Sequence, residues 1–438
     1  MRKFRFFSII FLLMLTVSFA QTETKQTLSL NECIHIALKN NTNIVAAQSY
    51  AEMSKAGLIS AKGNFLPRVD FYSSWSRRSE EWNTIRFDEL VSSKESYSYQ
   101  FELQQPVFTG FGNYATYKQR QADYRQKRYN FEWTKQTVVV DVKLKYFNVL
   151  KNKQLLNVAE EALRASQKEL DRLQEMEKIG AASRSEVFQQ KVRVGEYRLS
   201  LVNARNAYVN AKIELNHTMG INVTKEIELM PQKMDTLVAQ PELPITDAIS
   251  MALKNRLDLK AYACQLRGAH ANVTAQKSGY FPMVSVFGRY NWWDVQFPQE
   301  KKDIDEFDSY SFGVSLSFNL FNGFKTKSAV QSARAQVIAE EANLEQAKRQ
   351  VIWDVKKAFL ELNRVMENLQ VTEENVAAAE EDYRLASERY RIGAGTLIEQ
   401  LTAHASLTSA KVERIKAIYD YKYAVTLLDL VTGKLTWE

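Results

Sequence analysis

The side chains that most often bind metals or act as nucleophiles are few in this sequence and lie far apart. The four histidines of the 438-residue chain do not stand at the short spacings that a zinc or iron site requires. They are His35, His217, His270 and His404. The sequence has no phosphate-cradling glycine loop, nucleophile elbow or His-Glu-x-x-His motif. We therefore expect a structural or surface role for each histidine, no catalytic, metal or cofactor site, and no enzyme activity.

Charge and cysteine usage bound the function further. Lysine and arginine are interspersed with aspartate and glutamate, so the net charge of +7 does not predict a nucleic acid partner. Acidic runs such as 380–382 are interpreted as solvated helix faces. Cys33 and Cys264 could form a disulfide in an oxidising compartment, but the sequence does not decide this.

One spacing of glycine, hydroxyl and carboxylate occurs twice and has a clear local chemistry. The two sets are Gly180, Ser183 and Glu186, and Gly393, Thr396 and Glu399. Glycine can adopt the left-handed conformation that ends a helix, and a serine or threonine shortly afterwards can cap the next helix. The helix dipole favours a glutamate in the first turn of that helix. Each set therefore predicts a turn between two helices.

The N-terminus has the pattern of a secretory signal peptide. Basic residues between Arg2 and Arg5 precede an apolar run, and small residues at Ser18 and Ala20 favour cleavage after Ala20. The run is shorter than a transmembrane helix and is followed by polar residues. We expect residues 1–20 to be a signal peptide and the chain to be exported. Because no other apolar run has the length of a membrane helix, any further membrane span must be a strand.

The remaining sequence contains one unit written twice. Ala37–Asn40 recurs as Ala252–Asn255, and landmark prolines and glycines recur in register through both halves. The predicted organisation is a first repeat, an inter-repeat linker and a second repeat. Their bounds are 21–220, 221–244 and 245–438.

Each repeat is expected to hold a helix, a strand pair, a long helix and a shorter helix, in that order. The bounds in the first repeat are 30–63, 68–77, 96–107, 113–178 and 183–218. Those in the second are 245–279, 283–293, 310–320, 325–391 and 396–431. Thr246 is the expected N-cap of the second repeat's first helix. The polar segments 78–95 and 294–309 are predicted to be loops.

The long helices have the narrow apolar seam of a coiled coil. Apolar and small residues between Leu156 and Leu173 recur alternately three and four residues apart. A helix of this predicted length spans roughly 100 Å, which matches the two shorter helices of a repeat stacked end to end. The glycine turns would then be the ends of long hairpins, far from the strands. The predicted fold is mostly α, with tandem-duplicated hairpins that form an α-helical barrel.

The strands are apolar on one face and polar on the other. The apolar face contains Val69, Phe71, Trp75, Tyr97, Tyr99, Phe101, Leu103, Val107, Val284, Val286, Tyr290, Trp292, Tyr310, Phe312, Val314, Leu316, Phe318 and Leu320. This alternation over about ten residues is typical of membrane β-strands, with aromatic residues near the strand ends as a girdle. Four strands cannot close a barrel, and an open sheet edge is not viable in lipid. We therefore expect two, three or more chains to share one transmembrane β-barrel, with 78–95 and 294–309 at the cell surface.

These features resemble the TolC family of outer-membrane efflux proteins. The matching segments are "LSLNECIHIALKNN", the strand exits "PVFTGF" and "FNLFNGF", and the turns "KIGAASRSEV" and "RIGAGTLIEQL". The resemblance covers nearly the whole mature chain in both copies. Two departures are Phe111 and Phe324, where a second glycine is commoner in the family, and glutamate at positions where the family often has aspartate.

The resemblance implies a homotrimer in the outer membrane with a 12-strand barrel and a helical tunnel in the periplasm. It also implies two protein partners, a periplasmic adaptor (membrane-fusion) protein and an inner-membrane pump. Gly180, Ser183, Gly393 and Thr396 would dock the adaptor. Glu186 and Glu399 would form an acidic ring at the tunnel entrance. The implied function is a passive exit duct of a tripartite efflux or type I secretion system.

Two other functions remain open at this point. A periplasmic adaptor would have a single helical hairpin flanked by β-rich domains, which differs from two copies with membrane-type strands. A coiled-coil structural protein of the cell envelope would explain the heptads but not the repeated strand pairs.

Overall fold

The computed structural model describes residues 27–230 and 244–434. The predicted signal peptide and most of the predicted linker therefore lie outside the described residues. None of the helices within these two ranges is both long and apolar enough to cross a membrane.

The described residues form six strands and nine α-helices. In the first range they are β1 (Thr27–Leu28), α1 (Leu30–Asn40), α2 (Thr42–Gly63), β2 (Arg68–Arg86), β3 (Glu89–Thr109), α3 (Gly112–Lys178), α4 (Arg184–Met219) and β4 (Glu228–Leu229). In the second they are α5 (Ile245–Asn255), α6 (Leu257–Lys277), β5 (Met283–Asp294), α7 (Lys301–Glu306), β6 (Asp308–Ser317), α8 (Lys325–Arg391) and α9 (Leu397–Thr432). Helix, strand pair, long helix and shorter helix thus follow one another in both halves.

The first helix of each half is divided, where the sequence predicts one continuous helix. Asn41 and Arg256 have extended ψ angles of 124° and 127°. The Asn41 amide caps α2 and donates to the Thr218 carbonyl oxygen at 2.9 Å. Arg256 forms ion pairs with Asp258 and Asp354, each at 2.7 Å. These side chains bind neighbouring groups across each break, which offsets the lost helical hydrogen bonds.

The predicted N-cap at Thr246 is wrong. The helix begins at Ile245, and Pro244 occupies the cap position two residues earlier than predicted. The Asp247 N–H bonds to the Pro244 carbonyl oxygen at 3.0 Å, so Thr246 is already inside the helix.

The long helices α3 and α8 carry the packing of the helical part. α3 packs along α4 and α6, and α8 packs along α9 and α6. The largest core lies about midway along α3, where Val142, Tyr146 and Leu215 of α4 are almost fully buried with Cys33 of α1. A second core near the hairpin ends contains Leu170, Leu173, Val187, Val194 and Leu397. The heptad seam predicted from the sequence is therefore buried between helices.

Both cysteines are buried and free, so they do not form a disulfide. Cys33 lies in the central core, and burial raises the pKa of its thiol to about 12. Cys264 lies in α6. The two cysteines do not occupy equivalent positions of the two repeats.

The four long strands form one antiparallel sheet in the order β2-β3-β5-β6. Phe71, Phe101, Tyr290 and Tyr310 lie opposite one another across all four strands, so they share a face. On the other face Arg289 of β5 and Glu102 of β3 form an ion pair at 2.9 Å. The predicted separation of apolar and polar faces is confirmed, and β2 and β6 are the two edges.

The two segments between paired strands, 78–95 and 294–309, are more ordered than the loops that the sequence predicts. Most of 78–95 belongs to β2 and β3, which pair up to Arg86 and Glu89 around a turn at Phe87 and Asp88. The segment between β5 and β6 contains α7. Arg86 binds Asp294 and Asp303, at 3.0 and 2.8 Å, and so ties the two surface segments together. Cross-strand pairing and this ion-pair network explain why neither segment is an open loop.

Three predicted side-chain or strand positions also change. A register shift between Pro106 and Phe108 places Phe108, rather than Val107, opposite Val284. Trp292 is only 1% exposed, because its indole donates to the Asp303 carbonyl oxygen at 2.8 Å beneath the surface segment. The strand β6 ends at Ser317 instead of continuing to 320.

Candidate functional site

The first hairpin end lies between α3 and α4. Gly180 has a φ of 75°, and the N–H of Ala181 returns to the Met176 carbonyl oxygen at 2.8 Å. Ser183 caps α4, since its Oγ accepts from the Glu186 N–H at 3.2 Å. The glycine therefore ends one helix in the left-handed conformation, and the serine starts the next.

The second hairpin end, between α8 and α9, has the same geometry. Gly393 has a φ of 76°, and the N–H of Ala394 bonds to the Arg389 carbonyl oxygen at 2.9 Å. Thr396 accepts from the Glu399 N–H at 3.2 Å. The two turns are thus built from equivalent residues of the two repeats.

The two glutamates have a structural role that the sequence reasoning missed. Glu186 accepts from the Ser183 N–H at 2.7 Å, and Glu399 accepts from the Thr396 N–H at 3.4 Å. The helix after each turn therefore begins with a reciprocal capping box, which the Ser/Thr-x-x-Glu spacing could have predicted. The hydrogen bonds from Ser183, its backbone N–H first, lower the pKa of the Glu186 carboxyl group. Both carboxylates fold back onto their own helix starts, and the lowered pKa keeps the Glu186 carboxylate ionised at neutral pH.

The two hairpin ends touch each other within one chain. The Tyr390 hydroxyl of α8 lies 3.5 Å from Glu186 Oε1 of α4. The Arg172 guanidinium of α3 lies over the Tyr390 ring at 5.5 Å. Leu397 of α9 packs into the same small core as Leu173 of α3. Polar and apolar contacts thus join the hairpins near their ends.

Exposed apolar side chains surround the two turns, and the sequence reasoning did not single them out. Ile179 and Ile392, which precede the two glycines, are 79% and 71% exposed. Phe188 and Ile398 follow the caps and are also exposed. The sequence does contain a signal for this surface, since an apolar residue directly precedes each turn glycine. Exposed apolar groups clustered at one end of a molecule are typical of a protein-binding surface.

The other residues considered for chemistry do not form a site. His35, His217 and His270 are exposed on separate helices, and His404 is half-buried in α9. Across residues 27–230 and 244–434, no group of histidine, cysteine and carboxylate side chains is arranged to hold a metal ion.

Comparison with known proteins gives a consistent result. The family model described as "Outer membrane efflux protein" matches residues 33–221 and 248–434, one segment in each repeat. The outer membrane protein TolC of Vibrio cholerae serotype O1 is 23% identical over 411 residues, covering 93% of this chain and 91% of that protein. The alkaline protease secretion protein AprF of Pseudomonas aeruginosa is 22% identical over 414 residues, covering 93% and 85%.

Solved structures share the fold. The CmeC outer membrane channel of Campylobacter jejuni superposes with a TM-score of 0.80 at 18% identity. The match covers 92% of this chain and 85% of that channel.

Proposed function

The chain belongs to the outer membrane efflux protein family, and we propose that three copies of it form one duct across the outer membrane. As a family member it is an outer membrane channel with a helical tunnel in the periplasm, and the family is one of conduits rather than enzymes. The proposal concerns the number of copies, the partners and the residues that contact them.

The observation that carries the proposal is the four-stranded sheet with two open edges. Tyr310, Phe312, Val314 and Leu316 of the edge strand β6 are between 68% and 84% exposed. Such a face fits lipid, but the unpaired backbone of β2 and β6 does not. Antiparallel order is preserved when β6 of one copy pairs with β2 of the next. Three copies then supply twelve strands, enough for a closed barrel.

The two repeats would contribute equally to the duct. The linker at 221–244 separates two sets of elements that follow the same order, each with one strand pair and one hairpin. This organisation supports the division into a first repeat at 21–220 and a second at 245–438. The hairpins of three copies would then line one tunnel with six repeat units.

The hairpin ends are proposed to dock a periplasmic adaptor protein, which connects the duct to an inner-membrane pump. Gly180 and Gly393 place the turns, while Ser183 and Thr396 hold the following helices. The exposed Ile179 beside the first turn supports docking, because burying its apolar side chain against a partner protein is more favourable than leaving it in water. The energy for export would come from the pump.

Glu186 and Glu399 are proposed to form the acidic ring at the tunnel entrance. In three copies the ring would hold six carboxylates, which attract cations and repel one another. The low pKa of Glu186 supports a charge that persists at mildly acidic pH.

The proposal is tested by extracting outer membranes with detergent and sizing the protein, then measuring conductance in planar bilayers and export in cells. We expect a trimer that conducts, and loss of export when the gene is deleted. A soluble monomer in the periplasmic fraction would support an adaptor instead. A trimer that remains in the membrane but does not conduct would support a structural role.

The client class is tested separately by copurification. The family model describes efflux proteins, whereas one of the named relatives is a protease secretion protein. Cross-linking at Ile179 should capture an adaptor, and the pump that copurifies with it will identify an efflux or a secretion system.

A further inference from the structure

A small polar cavity lies between the two hairpins, above the turns. Its volume is about 50 Å³, and it is lined by all four hairpin helices. Its polar lining consists of Ser166 and Glu169 of α3, Gln190 of α4, Tyr383 of α8, and Gln400 and His404 of α9. Between the cavity and the turns the core is apolar, with Leu170, Leu173, Val187 and Leu397. The seam therefore changes from apolar to polar at this level.

The orientation of Gln190 is determined by its hydrogen bonds. Its Nε2 donates to the Ser166 carbonyl oxygen at 2.6 Å and to Ser166 Oγ at 2.9 Å. Because a carbonyl oxygen can only accept, the amide nitrogen must face Ser166 and Oε1 must face away. Gln190 is 1% exposed, and its Oε1 has no hydrogen-bond partner among the described residues. Gln400 is only partly buried, but its Oε1 also has no hydrogen-bond partner among the described residues.

An unpaired buried amide oxygen costs about 1–3 kcal/mol. Two acceptors at one small cavity therefore call for a donor. A cavity needs only about 10–15 Å³ of this kind of volume to hold one water molecule. Arg193 and Lys411 lie close enough to His404 to disfavour its protonated form. The carboxylate among the lining residues, Glu169, is held by Arg172 at 2.7 Å. The chemistry that fits is a neutral molecule with two donor hydrogens.

His404 links the two hairpins at the same level. Its Nδ1 and the Tyr197 hydroxyl of α4 are 3.0 Å apart and hydrogen-bonded. The Tyr383 ring of α8 lies 5.1 Å from the imidazole ring. Burial, followed by the neighbouring Arg193 and Lys411, lowers the pKa of His404. The imidazole is therefore neutral near pH 7 and joins α9 to α4.

We propose that this cavity is a built water site, in which ordered water donates to Gln190 Oε1 and Gln400 Oε1 and makes the joint between the hairpins polar. In the proposed duct, the hairpins of one chain would separate at this joint when the tunnel opens, so this part of the inference rests on the proposed function. Polar groups in a coiled-coil seam reduce stability relative to apolar packing while keeping the register. Water can replace each broken hydrogen bond during separation, whereas it cannot replace leucine packing.

The central test uses Gln190→Met, with Gln400→Met in the same chain. Methionine has a similar length and no hydrogen-bonding group, so it should displace the water and replace the polar joint, including the Gln190–Ser166 hydrogen bonds, with apolar packing. We expect the thermal midpoint of the trimer to rise and the rate of spontaneous channel opening in bilayers to fall by about fivefold, equivalent to ~1 kcal/mol. Gln189→Met, at an exposed neighbouring position of α4, is the matched control and should change neither quantity.

A high-resolution structure of the wild-type protein provides an independent readout, which stands even when the double variant fails to fold. We expect ordered water within hydrogen-bonding distance of Gln190 Oε1. A dry cavity overturns the inference, and so does a double variant that is less stable and opens normally. Wild-type protein that forms no channel contradicts the proposed function alone, because the water and the thermal midpoint do not depend on conduction.

The proton dependence of the joint is tested with His404→Gln. Since the pKa of His404 is lower in the folded protein, the unfolded chain binds the proton more readily, and stability should fall as pH decreases through about 6.5. Tyr197, Tyr383, Arg193, Lys411 and Glu169 also face this region. His404→Gln should reduce the change in thermal midpoint between pH 7.5 and 5.5, whereas His270→Gln, at an exposed position, should leave that change as it is in the wild type. If the thermal midpoint of His404→Gln depends on pH as strongly as that of the wild type, His404 does not make the joint sensitive to pH.

Discussion

At the scale of single residues, the hairpin ends depend on a glycine, a hydroxyl and a carboxylate in each repeat. Gly180 and Gly393 both have positive φ, and no atom lies within 4 Å of a Cβ added at either position. A larger side chain there has space but an unfavourable backbone conformation. The local cost would be about 1–2 kcal/mol at one turn. This cost should not prevent assembly, because the turns lie far from the strands.

Gly180→Leu and Gly393→Leu should therefore abolish export while assembled trimers remain in the membrane. The new side chain would project from the turn, where we propose that the adaptor binds. The measurements are export in cells and trimer content of extracted membranes, with adaptor cross-linking as the direct readout. Ala181→Leu, beside the same turn, tests whether a larger side chain is enough to abolish export when the glycine is kept. Undiminished cross-linking in both glycine variants would show that the ends are turns and nothing more.

Glu186→Gln together with Glu399→Gln should reduce the cation preference of single channels. The substitution keeps a side chain that can accept from the Ser183 and Thr396 N–H groups, so each helix start is retained while the charge is removed. Reversal potentials in a salt gradient provide the measurement. Glu175→Gln, an exposed carboxylate in the last turn of α3, is the control. A selectivity equal to that of the wild type would exclude the acidic ring.

The free thiols give a residue-scale prediction that does not depend on function. Cys33 and Cys264 are both buried, and the raised pKa of Cys33 keeps it protonated at neutral pH. A maleimide should label neither thiol of the native protein at pH 7 and both after unfolding without reductant. Mass spectrometry counts the labels. A denatured chain that accepts no label would mean that the disulfide exists.

At the scale of elements, sequence periodicity predicts the helices and strands well because each has one buried or lipid-facing side. The long helices, the sheet faces and the turns all follow from that pattern. The breaks at Asn41 and Arg256 were not predictable in the same way, since each is stabilised by a partner distant in sequence. The extension of β2 and β3 was missed because its residues are polar, and pairing across the hairpin stabilises it. Capping boxes at both ends were readable but overlooked.

The helix breaks provide a stability prediction. Asn41→Ala removes the cap of α2 and the hydrogen bond to the Thr218 carbonyl oxygen, and it should lower the free energy of unfolding by about 1–2 kcal/mol. Urea unfolding monitored by circular dichroism measures the change. Asn43→Ala, in the first turn of α2 and exposed, should be nearly neutral. Equal effects of the two substitutions would mean that the break is not stabilised by Asn41.

The strand faces provide a prediction about assembly. Phe101→Arg or Val314→Arg should impair insertion much more than Gln100→Arg or Ser315→Arg, because a midplane arginine facing lipid costs about 2–4 kcal/mol. Each pair differs by one position on the same strand, so the control is matched for depth. Heat-modifiable trimer in outer membranes is the readout. Equal tolerance of the two faces would refute the lipid-facing assignment.

At the scale of the whole molecule, the sequence does not contain the information that fixes the number of copies. One chain has an apolar sheet face and two unpaired edges, which require further chains but allow more than one ring size. The register of the hairpins against each other depended on contacts such as Tyr390 with Glu186, which join residues of different repeats. Pattern within one repeat cannot predict such contacts. The duplicated motifs nevertheless predicted the family and the overall architecture.

The edge strands β2 and β6 belong to different repeats, and this has a consequence for inheritance. In the proposed ring of three, each copy must join its first repeat to one neighbour and its second repeat to the other. A chain with one defective edge therefore spoils every ring that contains it. When normal and defective chains are made in equal amounts, only about one ring in eight contains normal chains alone. A mutation at either edge should thus be dominant, whereas a mutation that prevents synthesis of the chain should be recessive.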